Sequence, residues 1–391
     1  MNNNYDLLVV GGGVLGTFHA YHALQRGLKV ALIEKDARPQ SATVRNFGQV
    51  VPSGMNQKWQ NFGRESLALY KNIQAEFDIS IRQNGTVYLA SDEEELTLLE
   101  ELYQINRSND YESELLTKAS CLEKYPGLKS SYVKGGLFFP QEVTVEPTVM
   151  IHRLHEYMRT QMQADLFFNT AVLDVQSSGA STVVTTATGA VFKAAKVIIC
   201  NGSDFQLLFP KLYRESDLIV SKLQMMKTKP QANYELKGSV LTGLTIRRYE
   251  AFEECPSWEA IKQNEPTDTF EREFGVHILF KQAADGSVII GDSHEYASAE
   301  HSAELGYDLK EEIDAFMIAE AKKIFDLPTY AIDQRWAGFY SQCKTQDVFQ
   351  YNVDDNIHIV TGIGGKGMTG SAGFAQKNIS ELFNLTHVRT Y

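Results

Sequence analysis

The chain has 391 residues, enough for two domains or one large composite domain, and its 43% hydrophobic and 22% charged residues are typical of a soluble globular protein. The net charge of −12 argues against a polyanionic partner such as nucleic acid, but not against a small anion held by a few local cations. The sequence contains no continuous apolar run of about 18 residues, so no transmembrane helix is predicted.

Two further features indicate a cytoplasmic protein. The first predicted strand follows the opening residues 1–4 at once, which leaves no room for a signal peptide. The four cysteines are far apart and form no metal-spaced pair, as expected for reduced thiols. They are Cys121, Cys200, Cys255 and Cys343.

The first predicted elements form a strand, a glycine turn, a helix and a second strand. An apolar run at residues 7–10 leads into a G-x-G-x-x-G sequence at Gly11, Gly13 and Gly16, and a helical pattern then leads to the apolar run 30–33. This order is typical of a dinucleotide-binding unit. The alternative is a tight turn in some other α/β unit.

Each part of this unit has a physical role in the dinucleotide interpretation. Gly11 makes the tight turn, Gly13 lets a pyrophosphate approach the backbone, and Gly16 lets the helix pack closely on the strand. The helix N-terminus offers free N–H groups and its positive dipole end to the phosphates. Glu34, which ends the second strand, is expected to accept hydrogen bonds from a ribose and to repel a 2′-phosphate.

The next segment is predicted to be mostly helical. Ser91 is the candidate N-cap of its charged helix, because acidic residues follow in the first turn. The expected elements are a helix over 57–77, a strand pair in 79–90 around the turn at 84–85, a helix over 92–106 and a short helix over 113–125.

The rest of the chain alternates between two kinds of segment. A helix over 148–162, after Pro147, and strands at 166–168, 172–175, 182–185, 190–192 and 196–200 continue the first unit. A β-rich part follows, with strands near 219–228, 239–250, 274–282 and 287–293 and a helix over 306–325. The first unit then returns with Trp336–Gly338, a strand over 357–360 and a C-terminal helix over 369–386.

These segments predict an α/β fold, α+β overall, with a Rossmann-like cofactor domain and an inserted β-rich domain for a second ligand. The discontinuous cofactor domain comprises residues 1–78, 146–215 and 331–391. The substrate-binding domain comprises residues 79–145 and 216–330.

A second glycine-rich loop, residues 361–370, lies between the last strand and the last helix. Its backbone N–H groups can converge on an anion, and two such loops suggest a large dinucleotide held at both ends. Here the loop and Lys366 would stabilise the negative charge of a reduced flavin ring. The alternatives are a flexible helix-entry loop and a solvated lysine.

Together these pieces resemble the FAD-dependent D-amino acid oxidase superfamily, whose members include glycine oxidase and the sarcosine oxidases. The resemblance covers nearly the whole chain and rests on the first glycine motif with Glu34, on Arg45-Asn46, Val172 and Cys200-Asn201-Gly202, and on Trp336-Ala337-Gly338 and Gly364-Gly365-Lys366-Gly367. It implies FAD between two domains and hydride removal from a carbon that bears an amine. The imine formed would hydrolyse to an aldehyde or keto compound, with release of an amine or ammonia.

The resemblance also implies which residues bind the cofactor. FAD is expected to be non-covalent, because the cysteine that tethers flavin in sarcosine oxidases aligns near Gly338, and Cys343 lies a few residues away. The implied contacts are Gly11, Gly13, Val14, Gly16, Glu34, Lys35, Arg45, Asn46, Val172, Asn201, Gly202, Gly338, Gly364, Gly365, Lys366, Gly367, Met368 and Thr369.

Departures from the family pattern bear on the substrate and on the electron acceptor. Tyr340 stands where relatives that act on free D-amino acids carry a carboxylate-clamping arginine, so ordinary D-amino acid oxidation is in doubt. The apolar strand 288–291 lacks the lysine of monomeric sarcosine oxidases, so oxygen or another acceptor is possible. Segments 41–50, 222–226 and 291–296 look most like a branch linked with aminophosphonate breakdown.

The resulting prediction is an FAD-dependent oxidase or dehydrogenase for a small amine with an anionic group, in particular an aminophosphonate. The alternatives are a glycine-, sarcosine- or D-amino acid-type oxidase and an FAD- or NAD-binding sensor without turnover. No metal site is predicted, and no catalytic base or oligomeric state is assigned. The candidate catalytic residues are Lys366, His294 and Tyr340, and the candidate substrate contacts are Gln49, Lys222, His277 and Tyr340, with a core histidine as the alternative for His277.

Overall fold

The protein is described by a computed structural model that covers residues 4–179 and 181–384. Its strands belong to two large sheets and one small two-stranded ribbon. The strands are β1 Asn4–Val10, β2 Val30–Ile33, β3 Gln49–Val50, β4 Thr86–Ala90, β5 Glu114–Thr117, β6 Gly135–Phe139, β7 Val143–Thr144, β8 Asp165–Phe167, β9 Val172–Ser178, β10 Ser181–Thr186, β11 Val191–Ile199, β12 Leu218–Thr228, β13 Ser239–Leu241, β14 Leu279–Gln282, β15 Val288–Gly291, β16 Glu295–Ser298, β17 Ile332–Cys343, β18 Phe349–Asn352 and β19 Ile357–Thr361.

The helices connect these strands and cover their faces. None of those within residues 4–179 and 181–384 is both long and apolar enough to cross a bilayer. The helices are α1 Val14–Gln25, α2 Gln57–Glu76, α3 Glu93–Ser108, α4 Lys118–Lys124, α5 Pro147–Gln161, α6 Pro210–Arg214, α7 Gly243–Ile246, α8 Trp258–Asn264, α9 Phe270–Glu273, α10 Glu311–Ile324 and α11 Gly367–Leu382.

The first sheet has the order β18-β19-β11-β1-β2-β8, with β10 and β9 added beside β11. Strands β19, β11, β1, β2 and β8 are mutually parallel. Strand β2 is buried throughout, as expected where helices cover both faces of a parallel sheet. The predicted Rossmann-like arrangement is therefore confirmed.

The second sheet is largely antiparallel and has the order β16-β12-β15-β14-β13-β4-β6-β5, with β17 also paired to β12. Strand β17 runs along almost the whole of β12. The last segment of the predicted cofactor domain begins at residue 331, and the structure pairs residues 332–343 with a strand of the second sheet. The domain boundaries stay predictions.

Long-range pairing explains where the observed elements differ from the predicted ones in the second domain. The predicted strand over 239–250 ends at Leu241 and is followed by α7, and the one predicted from 274 begins only at Leu279. The predicted hairpin over 79–90 is the single strand β4, whose neighbours β6 and β13 come from distant segments. The predicted helix over 113–125 begins with β5, which pairs with β6.

Helix α3 begins one residue later than predicted. The Asp92 carboxylate accepts a hydrogen bond from the Glu95 backbone N–H at 2.8 Å, so Asp92 is the N-cap. The Ser91 hydroxyl instead donates to Glu95 Oε2 at 2.7 Å. The C-terminal helix, predicted over 369–386, begins at Gly367 and ends at Leu382. The last two residues of its predicted range, 385–386, lie outside the described residues.

Candidate active site

A cavity of about 1290 Å³ opens between the two sheets. The loops that follow β1, β11 and β19 form its floor, and side chains of the second sheet form the opposite wall. The carboxyl ends of parallel strands are the usual ligand site in such sheets. The volume exceeds that of ordinary drug-sized pockets, so a dinucleotide and a small second ligand fit together.

The first glycine turn has the close packing that its sequence predicts. Gly11 has φ +106°, and a Cβ there would lie 2.2 Å from the carbonyl oxygen of Cys200. A Cβ at Gly16 would lie 2.1 Å from the Gly11 carbonyl oxygen. The N-cap of α1 is Gly13, and the N–H of Val14, the first residue of the helix, donates to the Thr43 hydroxyl at 2.9 Å. The turn thus presents a helix N-terminus to the cavity, with one of its N–H groups already bound by Thr43.

Glu34 is buried at the end of β2 and lines the cavity. Its Oε2 accepts a hydrogen bond from the Gly12 backbone N–H at 2.8 Å, and its Oε1 accepts one from the Asp36 N–H at 3.0 Å. A carboxylate oxygen can accept a second hydrogen bond, so both oxygens stay able to bind ribose hydroxyls. Lys35 pairs with Asp36 at 3.0 Å, and Val172 lines the same cavity.

The second glycine loop forms a 3₁₀ turn at Gly364–Lys366 that runs into α11. A Cβ at Gly365 would meet no described atom within 4 Å, and the first turn of α11 carries no acid. Gly364, Gly365, Gly367, Met368 and Thr369 line the cavity. This open cradle suits the far end of a flavin dinucleotide.

Lys366 lies on this loop, but it is not a free cation. Its Nζ is 2.5 Å from Glu250 Oε1 and 3.8 Å from Asp347 Oδ1. All three residues line the cavity. The ion pair joins the C-terminal loop to the segment after α7, so Lys366 is neither a solvated lysine nor an unpaired flavin contact.

Other predicted cofactor residues shape the loops on which they lie. The Asn46 amide donates to the carbonyls of Ala42 and Thr43 and accepts from the Gly48 N–H, while Arg45 Nε donates to the Gln40 carbonyl.

The turn after β11 is held in the same way. Asn201 Nδ2 donates to the Asp204 carbonyl, and its Oδ1 accepts from the Tyr213 hydroxyl at 3.0 Å. The Gly202 carbonyl accepts from the hydroxyls of Ser341 and Thr361. Asn201 and Gly202 line the cavity, as do Arg45 and Asn46.

Two predicted site residues are placed elsewhere. Lys222 is buried, and its Nζ donates to the carbonyls of Leu305 and Asp308 at 2.9 and 2.5 Å. Its neighbours on β12, Ser221 and Leu223, line the cavity instead. The side chain of Lys222 is thus committed to these carbonyls, and its role as a substrate contact stays a prediction without support from this geometry.

Gly338 is the second of these two residues. A Cβ there would lie 3.0 Å from the Arg45 carbonyl oxygen and 3.1 Å from the Tyr340 ring. Gly338 therefore packs against the Arg45 loop, while its neighbours Ala337 and Phe339 lie on the cavity wall. Its small size serves the packing of β17, and its contact with the flavin edge stays a prediction.

The wall opposite the glycine loops carries a cluster of His277, Asp292 and His294. Their imidazole nitrogens and carboxylate oxygen lie within 4.8 Å of one another. His277 Nε2 is 2.6 Å from Asp292 Oδ1, and His294 Nδ1 is 3.9 Å from the same oxygen. Asp292 was not predicted as a site residue. The prediction that the chain binds no metal stays a prediction.

Burial favours the neutral form of both histidines of this cluster. It lowers the pKa of His277, although the facing Asp292 opposes the shift, and it lowers the pKa of His294 to about 3. His294 Nδ1 lies 3.1 Å from the Gly275 carbonyl oxygen, which can only accept a hydrogen bond. In the neutral ring the proton is therefore on Nδ1, and Nε2 keeps its lone pair.

Arg248 also lines this wall and was not predicted as a site residue. Its Nη2 donates to the Tyr296 hydroxyl at 2.9 Å, and no carboxylate of the described chain forms an ion pair with it. The adjacent Arg247 contacts Asp92, Glu94, Glu95 and Glu265. The sequence placed both arginines in a predicted strand, and only their contacts tell them apart.

Tyr340 and Gln49 complete the predicted substrate contacts. The Tyr340 hydroxyl donates to the Arg45 carbonyl at 3.3 Å, and burial raises the pKa of this phenol well above its usual value. Gln49 is buried, and its Nε2 has no hydrogen-bond partner among residues 4–179 and 181–384. Both residues line the cavity, so they stay candidate contacts.

Comparison with known proteins identifies the family. Residues 6–378 match the DAO family, described as FAD dependent oxidoreductase. A glycine oxidase of Geobacillus kaustophilus is 28% identical over 212 residues, which are 52% of this chain and 56% of that protein. An N-methyl-L-tryptophan oxidase of Yersinia pestis is 25% identical over 215 residues, 54% of this chain and 56% of that protein. The match thus spans little more than half the length of these relatives.

Solved structures agree on the fold. The crystal structure of glycine oxidase from Geobacillus kaustophilus superposes with a TM-score of 0.75 at 18% identity and covers 100% of both chains. L-proline dehydrogenase from P. horikoshii has a TM-score of 0.78 at 18% identity and covers 98% of this chain and 94% of that one. The chain thus belongs to the DAO family of FAD-dependent oxidoreductases, and its cofactor is FAD.

Proposed function

We propose that this protein oxidises a small amine that carries an anionic group. The observation that carries the proposal is Arg248, a guanidinium without a carboxylate partner in the described chain, on the wall that faces the two glycine loops. A charged group so placed is suited to fix an anionic ligand. The relatives named glycine oxidase and N-methyl-L-tryptophan oxidase add support, since both names denote amino acids.

The chain's own residues would hold FAD along the floor of the cavity. The first glycine turn would bind the pyrophosphate, Glu34 the adenosine ribose, and the loop Gly364–Lys366 the flavin end. Bound FAD supplies the hydride acceptor for the carbon that bears the amine. The protein would position that carbon, exclude water and fix the anion. Non-covalent attachment is part of this proposal.

An aminophosphonate is the sharper form of the proposal. A phosphonate has three oxygens and more charge than a carboxylate, so it needs more donors. The cavity offers the Arg248 guanidinium, the hydroxyls of Tyr249 and Tyr296, and Gln49 Nε2, which has no hydrogen-bond partner in the described part of the chain. The rival is a glycine-, sarcosine- or D-amino acid-type oxidase in which Arg248 takes the role of the arginine that is missing at Tyr340.

The test is anaerobic reduction of the flavin by a panel of amines. The panel contains 2-aminoethylphosphonate and its N-methyl and hydroxy derivatives, together with sarcosine, glycine and D-alanine. Bleaching by the phosphonates alone supports the sharper form, and bleaching by the amino acids supports the rival. No bleaching would overturn both and favour a sensor without turnover. Readmission of air then separates an oxidase from a dehydrogenase.

Arg248→Met should raise the concentration of amine that half-saturates flavin reduction by about 10- to 100-fold. The reason is that a charged hydrogen bond to the anion contributes about 1.5–3 kcal/mol. The half-saturating concentration of Arg248→Lys should lie between those of the wild type and Arg248→Met. The matched control is Arg214→Met, since Arg214 is exposed and lies outside the cavity wall. Equal effects in the two methionine variants would contradict the assignment of Arg248.

A further inference from the structure

We propose that Asp292 recognises the protonated amino group of the substrate, so that the cavity binds a ligand with two poles. The inference rests on the proposed function and names the feature that selects the substrate class. Arg248 would take the anion, and Asp292 would take the ammonium group. The ligand selected is a small zwitterion whose charges are separated by a short carbon chain.

The first support is the position of the Asp292 carboxylate. Asp292 follows β15, the residue is 6% exposed, and it lines the cavity. Its Oδ1 lies 2.6 Å from His277 Nε2 and 3.9 Å from His294 Nδ1. A carboxylate oxygen can accept more than one hydrogen bond, so a cationic N–H donor in the cavity would add a charged hydrogen bond to this buried group.

The second support is the charge state of the surrounding groups. Asp292 faces the imidazoles of His277 and His294, the guanidinium of Arg248 and the phenols of Tyr249 and Tyr340. Burial alone would raise the pKa of Asp292, but the imidazoles of His277 and His294 and the Arg248 guanidinium hold it below its usual value. Burial in turn lowers the pKa of both imidazoles. The carboxylate is therefore the anion of this cluster.

The third support is that Asp292 and Arg248 do not neutralise each other by direct contact. No ion pair joins them within 4.0 Å, although both lie on one wall of the cavity. Arg248 is held by Tyr296, and Asp292 is held beside His277. The structure thus keeps a positive and a negative group apart on one surface, which is the complement of a zwitterion.

The experiment compares two ligands that differ in one group, which is a charged ammonium group in one and a neutral hydroxyl group in the other. The holoenzyme is reduced beforehand with dithionite, so that neither ligand can be oxidised, and binding is measured anaerobically by calorimetry. The ligands are 2-aminoethylphosphonate and 2-hydroxyethylphosphonate. The variants are Asp292→Asn and, as the matched control, Glu253→Gln, which makes the same acid-to-amide change at an exposed position that lines the cavity.

The wild-type protein should bind the amine about 10- to 100-fold more tightly than the alcohol at pH 7, the ratio expected for a charged hydrogen bond. Asp292→Asn should abolish this preference, and Glu253→Gln should keep it. A general loss of packing would weaken the binding of both ligands alike and leave the ratio of their affinities unchanged. A preference that survives in Asp292→Asn, or that disappears equally in Glu253→Gln, would overturn the inference.

A second measurement needs no variant. Alkyl ammonium groups lose their proton near a pKa of about 10, so the wild-type preference for the amine should fall as the pH rises toward that value. A preference that does not change with pH would contradict recognition of the cation. If the protein prefers the amine ligand but no amine reduces the flavin, recognition by Asp292 is supported and the proposed oxidation is refuted. If amines reduce the flavin but the amine ligand is not preferred, the proposed oxidation is supported and recognition by Asp292 is refuted.

Discussion

At the residue scale, the ion pair of Lys366 changes the role that its sequence context predicts. The glycine-rich loop predicts a cation beside the flavin, and the structure places the ammonium against Glu250 and Asp347. The pair leaves a partly neutralised charge at this end of the cavity. Its effect on a reduced flavin should thus be smaller than that of a free lysine.

Lys366→Met should leave FAD bound and slow anaerobic flavin reduction by about tenfold, equivalent to about 1.4 kcal/mol. Binding should persist because the backbone of the loop and the first glycine turn are unchanged. The measurement is stopped-flow absorbance with a saturating amine. Lys58→Met is the control, since Lys58 also pairs with Asp347 but does not line the cavity. Unchanged reduction in Lys366→Met would remove Lys366 from the site.

The residues missed by sequence reasoning have a common origin. Arg248 belongs to no local motif that the sequence analysis used, and Asp292 lies in the segment 291–296, which entered only as a family resemblance. The two segments meet only in the folded protein. Lys222 was assigned to the cavity because its charge suited an anion, yet its side chain binds two backbone carbonyls. Residue type alone does not reveal the direction in which a strand residue points.

At the scale of elements, the contact between β1 and α1 depends on small residues. Gly16→Ala should lower the free energy of unfolding by more than about 1 kcal/mol and weaken FAD retention, because the new Cβ would lie 2.1 Å from the Gly11 carbonyl oxygen. Thermal unfolding and flavin release after gel filtration measure both effects. Gly365→Ala is the stability control, since its Cβ would meet no described atom within 4 Å. Equal stability in the two variants would contradict this packing argument.

The elements of the first unit were easier to predict than those of the second. The strand β2 and the helix α2 lie within a few residues of their predicted bounds because their apolar periodicity is local. The segment after β13 turns into α7, although its composition favours a longer strand. Strands such as β4 and β5 depend on partners that are distant in sequence, so local propensity decides less there.

At the scale of the molecule, Glu142 joins segments from the two predicted domains. It is fully buried, its carboxylate accepts hydrogen bonds from Ser53 and Tyr111, and burial raises its pKa from 4.5 to about 7. The folded state therefore binds this proton more tightly than the unfolded state does. Its contribution is complete below pH 4.5 and is lost as the pH rises through about 7.

Comparison of the wild type with Glu142→Gln should isolate the contribution of the Glu142 proton to the free energy of unfolding. Between pH 4.5 and 7, the free energy of unfolding of the wild type should fall relative to the variant by at most about 3 kcal/mol, since one pKa unit corresponds to about 1.4 kcal/mol. Urea unfolding at a series of pH values measures the difference. Parallel pH profiles of the two proteins would contradict a raised pKa at Glu142.

The sequence by itself determined the cofactor fold and the family. Gly11, Gly13 and Gly16 are close in sequence, and their spacing between a strand and a helix favours a backbone turn and a helix N-terminus near a phosphate. The loop that precedes α11 is likewise defined by neighbouring residues. Each of these motifs lies within a few consecutive residues, so it can be recognised in the sequence without knowledge of any tertiary contact.

Only the tertiary structure decided which polar side chains share the cavity. Sheet pairing fixes the direction of each strand residue, and it brings Arg248, Asp292 and His277 together while Lys222 is committed to backbone carbonyls elsewhere. Burial then sets their charges, because the same imidazole or carboxyl group titrates differently in water and beside buried partners. The substrate end of the site is therefore a property of the fold, whereas the cofactor end is a property of local sequence.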